Sequence, residues 1–410
     1  MRHLTTPLAL AALALLAGGM AAAAEEKPIV IGITAAIQLQ VGRDTVDAAQ
    51  IAIDEVNAAG GVLGRKLTMV VADETMDPQQ GVAAVKKLTA DDHVDVLIGG
   101  YNSGVTLAQE PHIADARTIY LGVGAASPSI TDFVKKNYKR FKYIFRVNPI
   151  NAVHQAEQVA GFVVGKVKGD LGYRTIAIVG ENAKWVQDLA PVLKSTVEEG
   201  GVKVAMLELF DPDMSDFSPL LSQVKDSGAQ FLVILVSHAN SDVFVKQWYD
   251  AKFPMAIGGI DVKGQDPDFF SRIGGKSIAE TVTNGLLAEP LTPKTMPFWN
   301  AFNARYKRPP VYTAPGAYDA LHIYAEAVDR AQSTDPDKVV PELEKTRYLG
   351  TQGTYVFTDD HDVKPGPGLI NLLFVQWQEN GKRVIVWPKE LATGKMILPP
   401  WINQRADAAK

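Results

Sequence analysis

Short β-branched apolar runs alternate with helical stretches along this chain, and the alternation runs through twice. Residues 29–34 (IVIGIT) read as a strand, and 45–59 as a helix with Val46, Ala49, Ile53 and Val56 along one stripe. Gly60-Gly61 supplies the left-handed positions that end it. Residues 67–72 form the next strand, 78–89 a helix, 94–98 (VDVLI) a buried strand, 103–116 a helix and 118–121 a fourth strand. Strands separated by helices of this length imply right-handed βαβ units on a parallel sheet. The fold class is therefore α/β.

Arg146-Val147-Asn148-Pro149 breaks the pattern, which then restarts. Helices are predicted over 155–167, 185–199, 217–227 and 242–251, and strands over 175–179, 203–209, 231–236 (FLVILV) and 255–258. This second run is long enough for a sheet of its own. Beyond about Gly285 come three helices, 296–307, 315–331 and 337–346. The second carries Tyr318, Leu321, Ala325 and Val328 at core spacing. Strands over 353–357, 369–378 and 383–387 follow. A helical block between two strand-rich halves predicts a chain that crosses between domains more than once.

Composition removes several functions. The 410 residues include no cysteine, which excludes disulfides, thiol nucleophiles, Cys-ligated zinc and iron–sulfur chemistry. The net charge of −5 offers no basic stripe for nucleic acid. The N-terminus reads as an export signal: Arg2, then an apolar run over 7–16, then small residues at Ala21–Ala24 ahead of Glu25. That run is shorter than the ~20 residues a spanning helix needs. The expected mature protein is soluble, outside the cytoplasm and cleaved near Ala24, and residues 403–410 form a polar tail.

Several motifs admit a functional and a plain reading. Gly122-Val-Gly124-Ala-Ala-Ser127 half-matches a dinucleotide fingerprint but follows the fourth strand, with Pro128 directly behind it. It is either a tight turn or a loop presenting N–H groups to a small anion. Gly99-Gly100-Tyr101-Asn102-Ser103-Gly104 misses the spacing of a nucleophile elbow. Ser103 is either a helix N-cap or a group that holds a ligand carboxylate at the first turn. Asp359-Asp360-His361-Asp362 lacks calcium-loop and zinc spacing and reads as a solvated turn, so no metal and no cofactor are expected. Trp185, beside Gly180-Glu181-Asn182, is either core or a ligand-stacking ring. Ser237 and His238 after the strand 231–236, and Asp261 after 255–258, share the carboxyl-end rim where open α/β sheets place ligands.

Together with the export signal, residues 57–67 (NAAGGVLGRKL), Asp77-Pro78 before a helix, Asp216-Phe217-Ser218-Pro219 and Ala317-Tyr318-Asp319-Ala320 resemble the periplasmic branched-chain amino acid-binding family. These are type I solute-binding components of ABC importers, and the resemblance spans essentially the whole mature chain. It implies two Rossmann-like lobes joined by a three-crossover hinge that encloses the ligand. Lobe 1 is expected over 25–147 plus about 286–354, and lobe 2 over 148–285 plus about 355–410. The resemblance puts the carboxylate-holding serine on Ser103, between Tyr101 and Asn102 on one side and the loop Gly124, Ala125, Ala126 and Ser127 on the other. A threonine of the family falls on Ala126, leaving Ser127 as its substitute. The covering aromatic falls on Trp185, a second-lobe aromatic is replaced at Ser237 beside His238, and the acid that meets a ligand ammonium falls on Ile260 or Asp261. The family's frequent disulfide is absent, because its positions are Met76 and Asn102.

The resulting expectation is a monomeric, non-enzymatic binding protein that captures a small carboxylate-bearing ligand, an amino acid or related acid. It delivers that ligand to an inner-membrane ABC permease. Two alternatives remain at this point: a ligand-sensing subunit of a receptor, and a periplasmic serine hydrolase using Ser103.

Overall fold

The computed structural model describes residues 27–366 and 368–402, so the signal segment 1–24 and the tail 403–410 lie outside the described residues. Five parallel strands, β1 (Ile29–Ala35), β2 (Leu67–Asp73), β3 (Val96–Gly99), β4 (Ile119–Gly122) and β5 (Ile144–Arg146), form a sheet in the order β2-β1-β3-β4-β5. The last of these escaped the sequence reading because three residues are too few to show a period.

The second sheet has seven strands. Its parallel part contains β6 (Thr175–Glu181), β7 (Lys203–Phe210), β8 (Phe231–Val236), β9 (Ala256–Asp261) and β10 (Thr281–Asn284). A small hairpin of β11 (Arg347–Leu349) and β12 (Thr354–Val356) stands apart, and then β13 (Leu373–Trp377) and β14 (Arg383–Trp387) complete the order β14-β13-β10-β9-β8-β6-β7. Strand β13 runs antiparallel to β10, and β14 antiparallel to β13.

The core packing explains the topology. Helix Gln40–Ala58 buries Ala49, Ile53 and Val56 against the first sheet, together with Tyr318, Leu321, Ala325 and Val328 of helix Thr313–Ala331. That same core takes in Leu286 and residues as late as Ile370. The core around the second sheet draws on Phe162, Ile178, Phe231, Phe374 and Val386. The chain thus passes between the two units three times, after β5, after β10 and before β13. The result is a two-lobed α/β fold of the type I periplasmic binding class, with the carboxyl ends of both parallel sheets turned towards one cleft.

Glycines shape the rim of the first sheet. Gly99 and Gly100 adopt φ of 146° and 80° at the end of β3. A Cβ at Gly124, in the loop after β4, would lie 2.2 Å from the Gly100 carbonyl oxygen. The two rim loops are therefore pressed backbone to backbone at Gly100 and Gly124.

The expected solvated turn at Asp359–Asp362 is overturned at its second half. His361 and Asp362 are buried, with His361 stacked on Phe145 at 3.9 Å between ring centroids. Asp362 pairs with buried Arg146 and accepts hydrogen bonds from Asn151 at 2.6 Å and Thr131 at 3.2 Å. A carboxylate can be buried here because a guanidinium and two neutral donors meet it.

Candidate functional site

Between the lobes lies a cavity whose empty volume, open mouth included, is about 490 Å³. Of the residues expected there, Tyr101, Ser103, Gly124, Ala126, Trp185, Ser237 and His238 line it. They come from loops after β3, β4 and β8 and from the helix after β6.

Ser103 opens helix Ser103–Asp115 but does not cap it. Asn102 is the N-cap, its Oδ1 accepting from the N–H groups of Gly104 at 2.8 Å and Val105 at 3.1 Å. Ser103 Oγ instead accepts from the N–H groups of Ala126 and Ser127, each at 3.1 Å. A hydroxyl has two lone pairs and one proton, so both acceptor positions are filled and the proton remains to be donated. It sits in the cavity wall at a helix N-terminus, where the dipole favours negative charge.

The second lobe contributes a charged support. Glu181, at the end of β6, is fully buried. Its Oε1 takes the Trp185 indole N–H at 2.8 Å and meets His238 Nδ1 at 2.6 Å. Its Oε2 accepts from the N–H groups of Ser237, His238 and Ala239 at 3.0, 2.7 and 2.9 Å. Burial works to raise the Glu181 pKa, but His238 and the backbone donors outweigh it and hold the carboxyl below its usual range. Both oxygens are saturated. Glu181 therefore fixes Trp185 and His238 in the wall rather than meeting a ligand.

Four expected residues stand outside the wall. Asn102 gives its Oδ1 to the cap, and its Nδ2 lies 3.4 Å from His238 Nε2. Ala125 gives its carbonyl to Arg146 at 3.3 Å. Ser127 turns its hydroxyl to Asp188, at 2.6 Å, across the cleft. Asp261 is buried, with Oδ1 accepting from Gly264 N–H at 3.0 Å and the carboxyl beside Glu280. Burial raises both carboxyls of that pair, and the Asp261 charge raises Glu280 further.

The wall also contains residues that the sequence did not point to. Ile150, Gln155, Tyr312 and Leu372 come from segments near the three crossings, and Ile260, Val262, Gln265, Thr283 and Gly285 from the rim after β9 and β10. Tyr312 donates its hydroxyl to the Gly124 carbonyl at 3.1 Å. Only the position of Ile260 beside Asp261 gave any sequence signal. No group of acidic or histidine side chains among the described residues is placed to hold a metal.

Two lobes, three crossings and a cavity at the carboxyl ends of both sheets define a cleft-type solute-binding protein. The chain belongs to the periplasmic binding protein family, whose model matches residues 29–382. It is 27% identical over 343 residues to the leucine-, isoleucine-, valine-, threonine- and alanine-binding protein of Pseudomonas aeruginosa, covering 82% of this chain and 86% of that one. It is 26% identical to a Leu/Ile/Val-binding protein homolog of Brucella abortus, with the same two coverages. Among solved structures, a putative branched-chain amino acid ABC transporter from Silicibacter pomeroyi superposes with a TM-score of 0.79 at 22% identity, covering 91% of this chain and all of that one. A branched-chain amino acid transporter substrate-binding protein from Streptococcus pneumoniae, in complex with isoleucine, gives 0.75 at 20% identity, covering 87% and 97%.

Proposed function

We propose that this protein is exported to the periplasm, with cleavage near Ala24, and works there as a monomer. It captures a small carboxylate-bearing ligand by lobe closure and delivers it to an inner-membrane ABC permease. The core packing supports a first lobe of residues 25–147 with about 286–370, moving the last crossing from about 354 to beyond Ile370. The second lobe takes 148–285 and the remainder.

The observation that carries the reading is the committed geometry of Ser103. Its Oγ accepts from two backbone N–H groups and its proton is free at a helix N-terminus in the cavity wall. That arrangement suits a carboxylate, which accepts hydrogen bonds and cannot donate them. The same arrangement speaks for binding over hydrolysis. Among the described residues no histidine hydrogen-bonds Ser103, and His238 is engaged by Glu181 instead.

The test is Ser103→Ala, with the acid found by thermal-shift screening of amino acids, aromatic acids and amides. Removing a hydrogen bond to a charged group costs about 1.5–3 kcal/mol, which is roughly tenfold to 150-fold in affinity. Calorimetry showing unchanged affinity overturns the role of Ser103.

A further inference from the structure

We infer that the acid this cavity selects is an aromatic monocarboxylate without an α-ammonium group. The inference rests on the carboxylate-binding reading above and adds what meets the rest of the ligand.

An ammonium group brings three donors and a positive charge, and burying it is costly unless acceptors meet it. The cavity wall contains no aspartate or glutamate. The acid nearest by sequence position, Asp261, caps Gly264 N–H and lies beside Glu280. The buried carboxylate behind the wall, Glu181, has both oxygens filled by five donors from Trp185, Ser237, His238 and Ala239. The Gly124 carbonyl accepts the Tyr312 hydroxyl, and the Ser237 carbonyl accepts the Tyr101 hydroxyl at 3.1 Å. Ala126 has no hydroxyl to offer. No carboxylate of the wall is free to meet an amino acid's ammonium, and the acceptors left uncommitted there, the Oε1 atoms of Gln155 and Gln265, carry no charge to offset its own.

The rest of the wall describes the body of the ligand. Tyr101, Trp185, His238 and Tyr312 are ring systems, and the aliphatic side chains of Ile150, Ile260, Val262 and Leu372 fill in around them. Such a wall favours a ring, which gains from stacked or edge-on packing as well as from area. Two buried carboxamides, Gln155 and Gln265, also line it, and the Oε1 of each has no hydrogen-bond partner. A neutral amide oxygen left uncommitted in a buried site can accept from a polar substituent on the ring, such as a hydroxyl, but supplies no charge to balance an ammonium.

The experiment compares matched pairs by calorimetry on the full mature chain: 3-phenylpropanoate against L-phenylalanine, and 4-methylpentanoate against L-leucine. Within each pair the skeleton is shared and only the ammonium differs. The deamino acid is expected to bind at least tenfold tighter in each pair, and 3-phenylpropanoate tighter than 4-methylpentanoate. Tighter binding of either L-amino acid overturns the inference, as does failure of both aromatic members to bind. A third probe, 3-phenylpropanamide, separates the two readings. If it binds as well as 3-phenylpropanoate, the carboxylate reading falls and this one with it. If binding requires the carboxylate but L-phenylalanine wins, only this inference falls. As a gain-of-function arm, Gln265→Glu adds a carboxylate where no hydrogen bond is lost. It is expected to move the preference towards L-phenylalanine by about tenfold, and an unmoved preference counts against the assigned wall.

Discussion

Ser127 Oγ donates to Asp188 Oδ2 at 2.6 Å, joining the loop after β4 to helix Lys184–Glu199 of the opposite lobe. Tyr101 makes a second bond across the cleft, its hydroxyl 2.6 Å from Ser237 Oγ. The closed arrangement is therefore held partly by contacts of the protein with itself. Ligand and latch act on the same equilibrium, because each favours the closed state through contacts the open state lacks.

Ser127→Ala removes one latch without touching the cavity wall. A hydrogen bond to a charged acceptor contributes about 1.5–3 kcal/mol, less where water competes, and Asp188 is partly exposed. Ligand release is expected to accelerate about tenfold, with association nearly unchanged. Solution scattering should show a larger radius of gyration for the ligand-free variant than for wild type. Equal release rates and equal radii would show that the bond contributes nothing to closure.

Asp362→Ala tests the buried pair with Arg146. Removing one partner leaves a buried guanidinium unmatched and costs about 3–5 kcal/mol. Because Asn151 and Thr131 also bond to Asp362, the loss falls where two crossing segments meet. Urea unfolding should show an unfolding free energy lower by that amount, and Asp362→Asn a smaller drop. An unfolding free energy within about 1 kcal/mol of wild type for the alanine variant would mean that the pair does not tie the crossings together.

That pair also shows where sequence reading stops. The alternation of β-branched runs with helices was legible because strands show as short unbroken apolar runs, as β8 does, and helices as a stripe at core spacing, as helix Thr313–Ala331 does. The short β5 and β10 were not, since three or four residues show neither. Asp362 looked solvated because its partner Arg146 lies 216 positions away. The site divides in the same way. Ser103, Trp185 and Ser237 directly follow strands and could be placed from local pattern. Tyr312, Leu372 and Gln155 reach the cavity only through the crossings, which no local pattern encodes. Asn102 and Ser103 exchanged roles because capping depends on a one-residue choice of where the helix begins.

Glu74 predicts a pH dependence. Burial raises its pKa from 4.5 to about 7, against the hydrogen bond from Gln109 at 3.2 Å, and its Oε1 has no partner. The folded state therefore holds a proton that the unfolded chain releases at lower pH. The stability this group contributes is fully present below about pH 4.5 and is lost as pH rises towards 7. The change amounts to about 3 kcal/mol, at 1.36 kcal/mol per unit. Glu74→Gln keeps the shape and removes the titration. Urea unfolding between pH 4.5 and 7.5 should give a flatter stability curve for the variant, and parallel curves would show that Glu74 does not titrate in this range.

Trp185 separates packing from closure. It is 6% exposed, packs in the second-lobe core, lines the cavity and donates its indole N–H to Glu181. Trp185→Ala is expected to lose about 3–5 kcal/mol of stability from the vacated volume alone, so its binding defect by itself proves little. Trp185→Phe keeps a ring in the wall while losing the five-membered ring and its N–H. Glu181 retains its bonds to His238 and three backbone donors, and a phenyl ring vacates less volume than a methyl does, so the phenylalanine variant should lose less stability than the alanine variant. A ring contacting ligand only when the lobes close acts on dissociation more than on association. The expected order of release rates is therefore wild type, then phenylalanine, then alanine, with association varying by less than about threefold. Stopped-flow measurement with the phenylalanine variant decides the matter. If it releases ligand at the wild-type rate while the alanine variant is merely unstable, Trp185 serves the core and the ligand is held by other walls of the cavity.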